Sequence, residues 1–226
     1  MVRQVAWRRP SNLPEVPTGD ASSPYRLHIR TLLGIGGYFF LGEIMTRISL
    51  ERYNDVVLTN ILNDYRCNFH GKSCRVLTNY KSLNQFEVAF HDDGLPHLLG
   101  LHYVGKNRVG SRILKDIDSG RMTAQNIRKH HNFGSQDIKN RILLYPFLYE
   151  VFTDQKIKVC IPMENEKPNP MKLDCVFTKM GRKEEIILGL RRDHEDGIFK
   201  PTTLHSNKRP RYTLMKRSKV KSIIWN

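Results

Sequence analysis

The sequence predicts an α+β domain in which N-terminal helices pack on a twisted antiparallel β-sheet. Three observations predict it. Residues 48–65 carry apolar side chains at helical spacing, Tyr53, Val57, Ile61 and Tyr65, with Val56 widening the stripe. Residues 75–90 hold two short β-rich runs joined by a polar loop. From residue 173 onward, β-branched runs alternate with turn signals at Gly181, Asp193–Gly197 and Pro210, the pattern of an antiparallel meander.

The charge balance narrows the partners. With 37 Lys and Arg against 22 Asp and Glu, the chain carries a net charge of +15, which calls for an anionic partner. Nucleic acid is the first candidate and an acidic membrane surface the second. No apolar run approaches the roughly 18 residues of a spanning helix, so no integral membrane protein is expected. The four cysteines, Cys67, Cys74, Cys160 and Cys175, form no dense framework and read as free thiols of a reducing cytosol. Cys67, His70 and Cys74 have a metal-like spacing but no fourth ligand nearby, so neither a metal nor another cofactor is expected.

Residues 1–44 break the pattern of the rest. They combine a Pro/Ser/Asp-rich run with the apolar, glycine-rich piece LLGIGGYFFLG at 32–42. This piece lies too far from the start, and lacks the cleavage site, for a signal peptide. Leu41-Gly42-Glu43-Ile44 before Met45 is compatible with codons that spell a ribosome-binding sequence. Met45 is therefore expected to be the true start, with residues 1–44 a translated leader, or else a disordered arm. Residues 45–226 are expected to form a single domain.

Within that domain the elements follow in order. Ser49 is a plausible cap for the first helix, Ile48–Tyr65. Strands are predicted at Arg75–Thr78 and Phe86–Phe90, paired antiparallel. His97 then opens an apolar run to Leu101. A helix over Val109–Asp118 presents Ile113, Leu114 and Ile117 and stops at Gly120. A short basic helix covers Thr123–His131. A third covers Ser135–Phe152, capped by Ser135 and kinked or restarted at Pro146. After the polar connector PMENEKPNP come strands at Leu173–Lys179, Glu184–Arg191, Ile198–Leu204 and Lys219–Trp225.

Two stretches can carry chemistry. In FEVAFHDDGLPHLLGL (86–101), His97 stands at the edge of an apolar run, and imidazole is the side chain suited to moving protons near neutrality. A lone histidine among leucines more often serves packing, so position alone does not assign it. The second stretch joins GLRRDH (189–194) to KPTTLH (200–205), where neighbouring antiparallel strands could bring Arg191 and Thr203 to one face. Cleaving RNA without a metal needs a base, an acid and cations around the phosphorane, and these residue types supply them. From Lys200 to the end, eight Lys and Arg occur with no Asp or Glu. Lys208, Arg209, Arg211, Lys216 and Arg217, with Arg192 upstream, are candidate contacts for a phosphate backbone.

The order helix, β-pair, FHDDGLPHLLGL, helices and a closing FKPTTL segment resembles the phage-associated members of the barnase–EndoU–colicin–RelE-like (BECR) nuclease superfamily. The resemblance runs from Ser49 to the C-terminus. It implies metal-independent endonucleolytic cleavage of RNA on an open sheet face, by a toxin or effector of a prophage or mobile element. It further implies His97 as general acid or base, Arg191 and Lys200 as phosphate clamps, and Thr203 as the hydroxyl that orients the phosphate. RNA is the expected partner, with a cognate antitoxin or immunity protein as a second, and the cytoplasm the expected location. The alternative is a nucleic-acid-binding protein that uses the same basic sheet without chemistry.

Overall fold

A computed structural model describes residues 48–105 and 109–226; the stretch 1–44 lies outside the described residues. The chain enters through a single 3-10 turn, Tyr53–Asp55, before helix α1 (Leu58–Asn68). The expected Ser49 cap is not used. Val57 is extended (φ −114°, ψ 110°) immediately before α1, because two β-branched residues in succession, Val56 and Val57, resist the helical conformation. Val57 is also 49% exposed rather than part of the stripe. The buried face is Leu58, Ile61, Leu62 and Tyr65, with Tyr53 and Val56 packed beside it.

Strands β1 (Ser73–Thr78) and β2 (Gln85–Ala89) pair antiparallel as predicted, with Cys74 opposite Val88 and Val76 opposite Phe86. Strands β4 (Cys175–Met180), β5 (Glu185–Arg192) and β6 (Phe199–Asn207) form the expected antiparallel meander. The predicted open twisted sheet is corrected by the rest. A short strand β3 (Val159–Pro162) and the last strand β7 (Ser218–Trp225) close seven strands into a barrel in the order β1-β2-β6-β5-β4-β3-β7. β7 therefore does not extend the meander beside β6. It joins the two halves, pairing with β1 through Val76 opposite Ile223 and with β3 through Cys160 opposite Ser218. On the far side, β2 meets β6 in parallel at one pair, Val88 opposite Phe199. β3 escaped the sequence reading because four residues ending in proline give too short a run to show alternation.

The helices follow β2. α2 (Gly94–Leu98) buries Leu95, Pro96 and Leu98, and α3 (Gly110–Asp118) buries Ile113, Leu114 and Ile117, the predicted face. Gly120 ends that region at φ +69°, a conformation open to glycine. α4 (Ala124–Arg128) is capped by Thr123, whose hydroxyl accepts from the Asn126 amide at 3.2 Å. The predicted helix over 135–152 is broken into α5 (Asn132–Ser135), α6 (Ile138–Leu143) and a π-helical turn, Tyr149–Thr153. Ser135 ends α5 instead of capping a helix, and Asp137 in the left-handed region (φ 53°) separates α5 from α6. Pro146 falls in the break before the π turn, as anticipated.

Two residues lock these layers. Asp64 of α1 is buried and accepts hydrogen bonds from Tyr145 (2.5 Å) and Tyr149 (2.6 Å), which ties α1 to the segment after α6. Burial pushes its carboxyl pKa up, and the two hydroxyls oppose that shift. Gly189 of β5 faces Leu173 and Thr203; a Cβ there would lie 2.6 Å from a Leu173 methyl and 2.7 Å from the Thr203 methyl. Gly189→Ala is expected to destabilise the fold by about 1–3 kcal/mol through overpacking. A urea unfolding midpoint equal to that of the wild type would show that β5 and the 163–173 loop part without cost.

Candidate active site

The site is built where β2 hands over to α2. β2 ends at Ala89, Phe90 is buried, and the chain turns through His91, Asp92 and Asp93 into α2. α1 fixes this turn from below. Tyr65 Oη donates to the His91 carbonyl at 3.0 Å, and Arg66 bonds Asp92 Oδ2 at 3.2 Å while pairing with both oxygens of Asp118 (2.8 and 3.0 Å). Bidentate pairing orients the guanidinium as well as holding it. Gly110 admits the Asp93 backbone, since a Cβ would lie 2.8 Å from the Asp93 carbonyl oxygen. With Leu95, Leu98 and Leu99 facing the core, His97 is left on the exposed side of α2.

α2 packs on β6, and β6 is irregular where they meet. Lys200 lies opposite Arg191 and Thr203 opposite Gly189; Pro201 opposes Leu190, which leaves Thr202 out of the ladder register, its hydroxyl donating to the Gly189 carbonyl of β5 at 3.3 Å. This one-residue bulge aims Thr202 and Lys200 into a cleft of about 280 Å³ that His91, His97, Tyr65 and Asp93 also line. Two imidazoles, an ammonium and a hydroxyl thus converge there. Lys200 is held by Asp193 at 2.6 Å; that hydrogen bond raises the ammonium pKa and lowers that of the carboxyl.

The remaining sequence candidates are distributed around this cleft. Arg191 does not line it: its Nε donates to the Met171 carbonyl at 2.9 Å. Thr203 does not line it either. Its hydroxyl is buried, 3.4 Å from Arg141 Nη1 and 3.2 Å from His205 Nδ1. Arg192, Lys208, Arg209, Lys216 and Arg217 are exposed. Arg211 is half-buried and its guanidinium donates to the Pro168 carbonyl. The loop bearing most of these cations is fastened by the buried Glu185 carboxylate. It accepts from the amides of Arg211 (2.8 Å), Tyr212 (3.1 Å) and Thr213 (2.5 Å) and from the Thr178 hydroxyl (3.1 Å).

Two residues that line the cleft were not foreseen as candidates: His91 and Thr202. His91 lies in the same motif as His97, and two histidines six residues apart across a Gly-Leu-Pro turn were the available signal. Beside the cleft, the rings of His97 and His102 are 4.7 Å apart. Burial, then the neighbouring His97 and Arg141, lower the His102 pKa to about 4, against the pull of the Pro96 carbonyl. Burial and Arg141 likewise lower His205 to about 4, with Glu185 opposing. Among the described residues no group of three or more His, Cys, Asp or Glu is disposed to hold a metal ion; Cys67 is exposed and Cys74 is buried in the core. Nor is any described helix long and apolar enough to cross a membrane.

The sequence profile of the family described as phage-Barnase-EndoU-ColicinE5/D-RelE like nuclease 4 matches residues 57–226. The chain belongs to this nuclease family. Among the described residues the match takes in every strand, all six α-helices and the whole cleft, so the family's nucleic-acid substrate class applies to the domain that carries it. No curated protein and no solved structure matches this nuclease.

The two depressed imidazoles give the nuclease a pH signature. His102 and His205 stay neutral in the fold down to about pH 4, whereas an ordinary histidine gains its proton near 6.5. Between these values the unfolded chain binds more protons than the folded one. Their stabilising contribution is therefore complete above about pH 6.5 and is lost as pH falls toward 4. Unfolding midpoints in urea are expected to drop across that window, and His205→Gln should flatten the drop. A midpoint constant from pH 7 to 4.5 would contradict it.

Proposed function

We propose that the protein is a metal-independent endoribonuclease, acting as a toxin or effector of a prophage or mobile element. The convergence of His91, His97, Lys200 and Thr202 on one cleft supports it best. Attack of a 2′-hydroxyl on the adjacent phosphate needs one group to take the hydroxyl proton and another to protonate the departing 5′-oxygen. His91 and His97 supply that pair. Lys200 faces the charge that accumulates on the phosphorane, and its link to Asp193 keeps the ammonium protonated and oriented. Thr202 would turn its hydroxyl from the Gly189 carbonyl, 3.3 Å away, to a non-bridging oxygen. The cleft is small and open, which suits one nucleotide step of a strand lying across the sheet. The exposed Lys208, Arg209, Lys216 and Arg217 would carry the flanking phosphates. The phage association in the family's description supports the toxin or effector role, and a cognate antitoxin or immunity protein would have to mask this cationic face.

His97→Ala and His91→Ala are each expected to lower cleavage of a labelled RNA by about 10²–10⁴-fold, the usual contribution of one positioned acid or base. The wild type should cleave with EDTA present, leave 2′,3′-cyclic phosphate ends, and spare DNA of the same sequence. A folded His97→Ala protein with wild-type activity would remove the histidine from the reaction. Binding of RNA with no cleavage would instead favour a non-catalytic role for the same face.

Changing Lys208, Arg209 and Lys216 to Gln should reduce the log–log salt dependence of single-stranded RNA affinity by about two, at roughly 0.7 per phosphate contact. Turnover at saturating RNA should change much less, since these groups lie outside the cleft. The comparison is made with an RNA blocked at the 2′-hydroxyl, from low to moderate salt. An unaltered slope would mean that the loop is only a solvated charge run.

A further inference from the structure

We infer that Arg141, with the Thr203 hydroxyl, forms a phosphodiester-binding subsite beside the His91–His97 cleft, reached from it through His102. This rests on the reading of the protein as an RNase. Arg141 projects from α6 into the space bounded by Gly100, Tyr103 and β6. Its Nε donates to the Gln136 carbonyl at 3.2 Å, its Nη1 reaches Thr203 Oγ1 at 3.4 Å, and its guanidinium lies 5.7 Å from the centre of the Tyr103 ring. A Cβ at Gly100 would come within 2.7 Å of Arg141 Cδ, so the stem is closely packed. Two of five N–H groups are used, and among the described residues no carboxylate lies within ion-pair distance.

That arrangement is unusual for its energetics. A half-buried guanidinium has lost part of its hydration, and that loss is normally offset by a carboxylate. Lys200 has Asp193 and Arg66 has Asp92 and Asp118 as such an offset, whereas Arg141, like Arg191 with the Met171 carbonyl, has only a backbone carbonyl, that of Gln136, besides the Thr203 hydroxyl. Arg141 faces neutral groups instead. The charged and titratable side chains acting on it or its neighbours are Tyr103, Asp137, His102 and His205, with His97 beside His102 and Glu185 beside His205. Asp137 is the nearest acid in influence, but burial pushes its pKa up and its carboxyl is engaged by Asn140. Glu184 and Lys208 also act on Asp137, with opposite signs.

The Thr203 hydroxyl accepts from Arg141 and shares a hydrogen bond with His205 Nδ1 at 3.2 Å, whose direction follows the imidazole tautomer. His102 Nδ1 is buried with no hydrogen-bond partner among the described residues. An oxyanion on the free edge of Arg141 would offset the guanidinium charge that helps keep both imidazoles neutral. Each would then gain a proton more readily, which adds donors toward the same anion. A phosphodiester one step along from the scissile one is the ligand of that charge and size in a bound strand.

The test follows the ring protons of His102 and His205 by NMR with inorganic sulfate, a tetrahedral anion whose charge is constant over the titration. In the wild type, sulfate is expected to raise both imidazole pKa values by roughly 1 unit, the scale of an opposite charge within about 6 Å, and to leave His70 unmoved. In Arg141→Met both values start higher, because a cation is gone, and sulfate should add nothing. Arg141→Lys should restore part of the response. The same Arg141→Met change should lower kcat/KM on RNA by about 10- to 100-fold, on the scale of one or two charge-assisted hydrogen bonds. The wild-type titration requires no variant to fold. If RNA is cleaved but neither imidazole responds to sulfate, the subsite is refuted and the RNase reading stands. If both respond through Arg141 while no RNA is cleaved, the anion site stands and the RNase reading is refuted.

Discussion

The barrel closes between β2 and β6 at one parallel pair, Val88 opposite Phe199, and most of the site follows from that narrow seam. β2 ends one residue later, so it offers β6 no further ladder. The chain turns at His91–Asp93 and α2 takes over the contact with β6. A longer ladder would have covered β6 with another strand and left no cleft. The short one lets a helix bring His97 against a strand that carries Lys200 and Thr202. The turn itself is not left loose, because Tyr65 and Arg66 of α1 grip His91 and Asp92. α1 is in turn held by the Asp64 carboxylate between two tyrosines. The geometry of the cleft is thus tied to one buried carboxylate at some distance from it.

Much of this was legible in the sequence where the signal is local. The alternation in 86–90, the Ile113, Leu114 and Ile117 face, the turns around Gly181 and Asp193–Gly197, and the FHDDGLPHLLGL and FKPTTL motifs all need only a few neighbouring residues to be read. His97 and Lys200, one from each motif, line the same cleft. What failed was non-local. Closure of the sheet depends on β7 finding β3 and, across more than half the chain, β1, which no periodicity announces. The choice between Thr202 and Thr203 depends on a bulge. A strand read with a period of two cannot show that one residue is extra, and a single insertion exchanges the side chain that faces the cleft.

Arg141 was illegible for the same reason. Nothing in Ile138–Leu143 distinguishes one arginine on a short helix from surface charge. Its meaning arises only when Thr203, 62 residues later, and Tyr103, on the other side of α3, are folded around it. The helix boundaries nearby were also misjudged, because Asp137 adopts a left-handed conformation that a sequence reading would reserve for glycine.

The two cations Lys200 and Arg141 are therefore unlike in kind. Lys200 carries its counterion with it: Asp193 fixes the ammonium but also reduces the field it projects into the cleft. Such a group is suited to being in place before substrate arrives, with little to gain from any one anion. Arg141 lacks a carboxylate, is partly stripped of water and stands among imidazoles that its own charge helps keep neutral. Its field is offset only when an anion comes. If both groups met the strand, the pre-paired lysine would contribute orientation and the unpaired arginine the greater share of binding free energy. On that reading affinity would lie on α6 and chemistry on α2 and β6, and β6 is the strand that both helices contact.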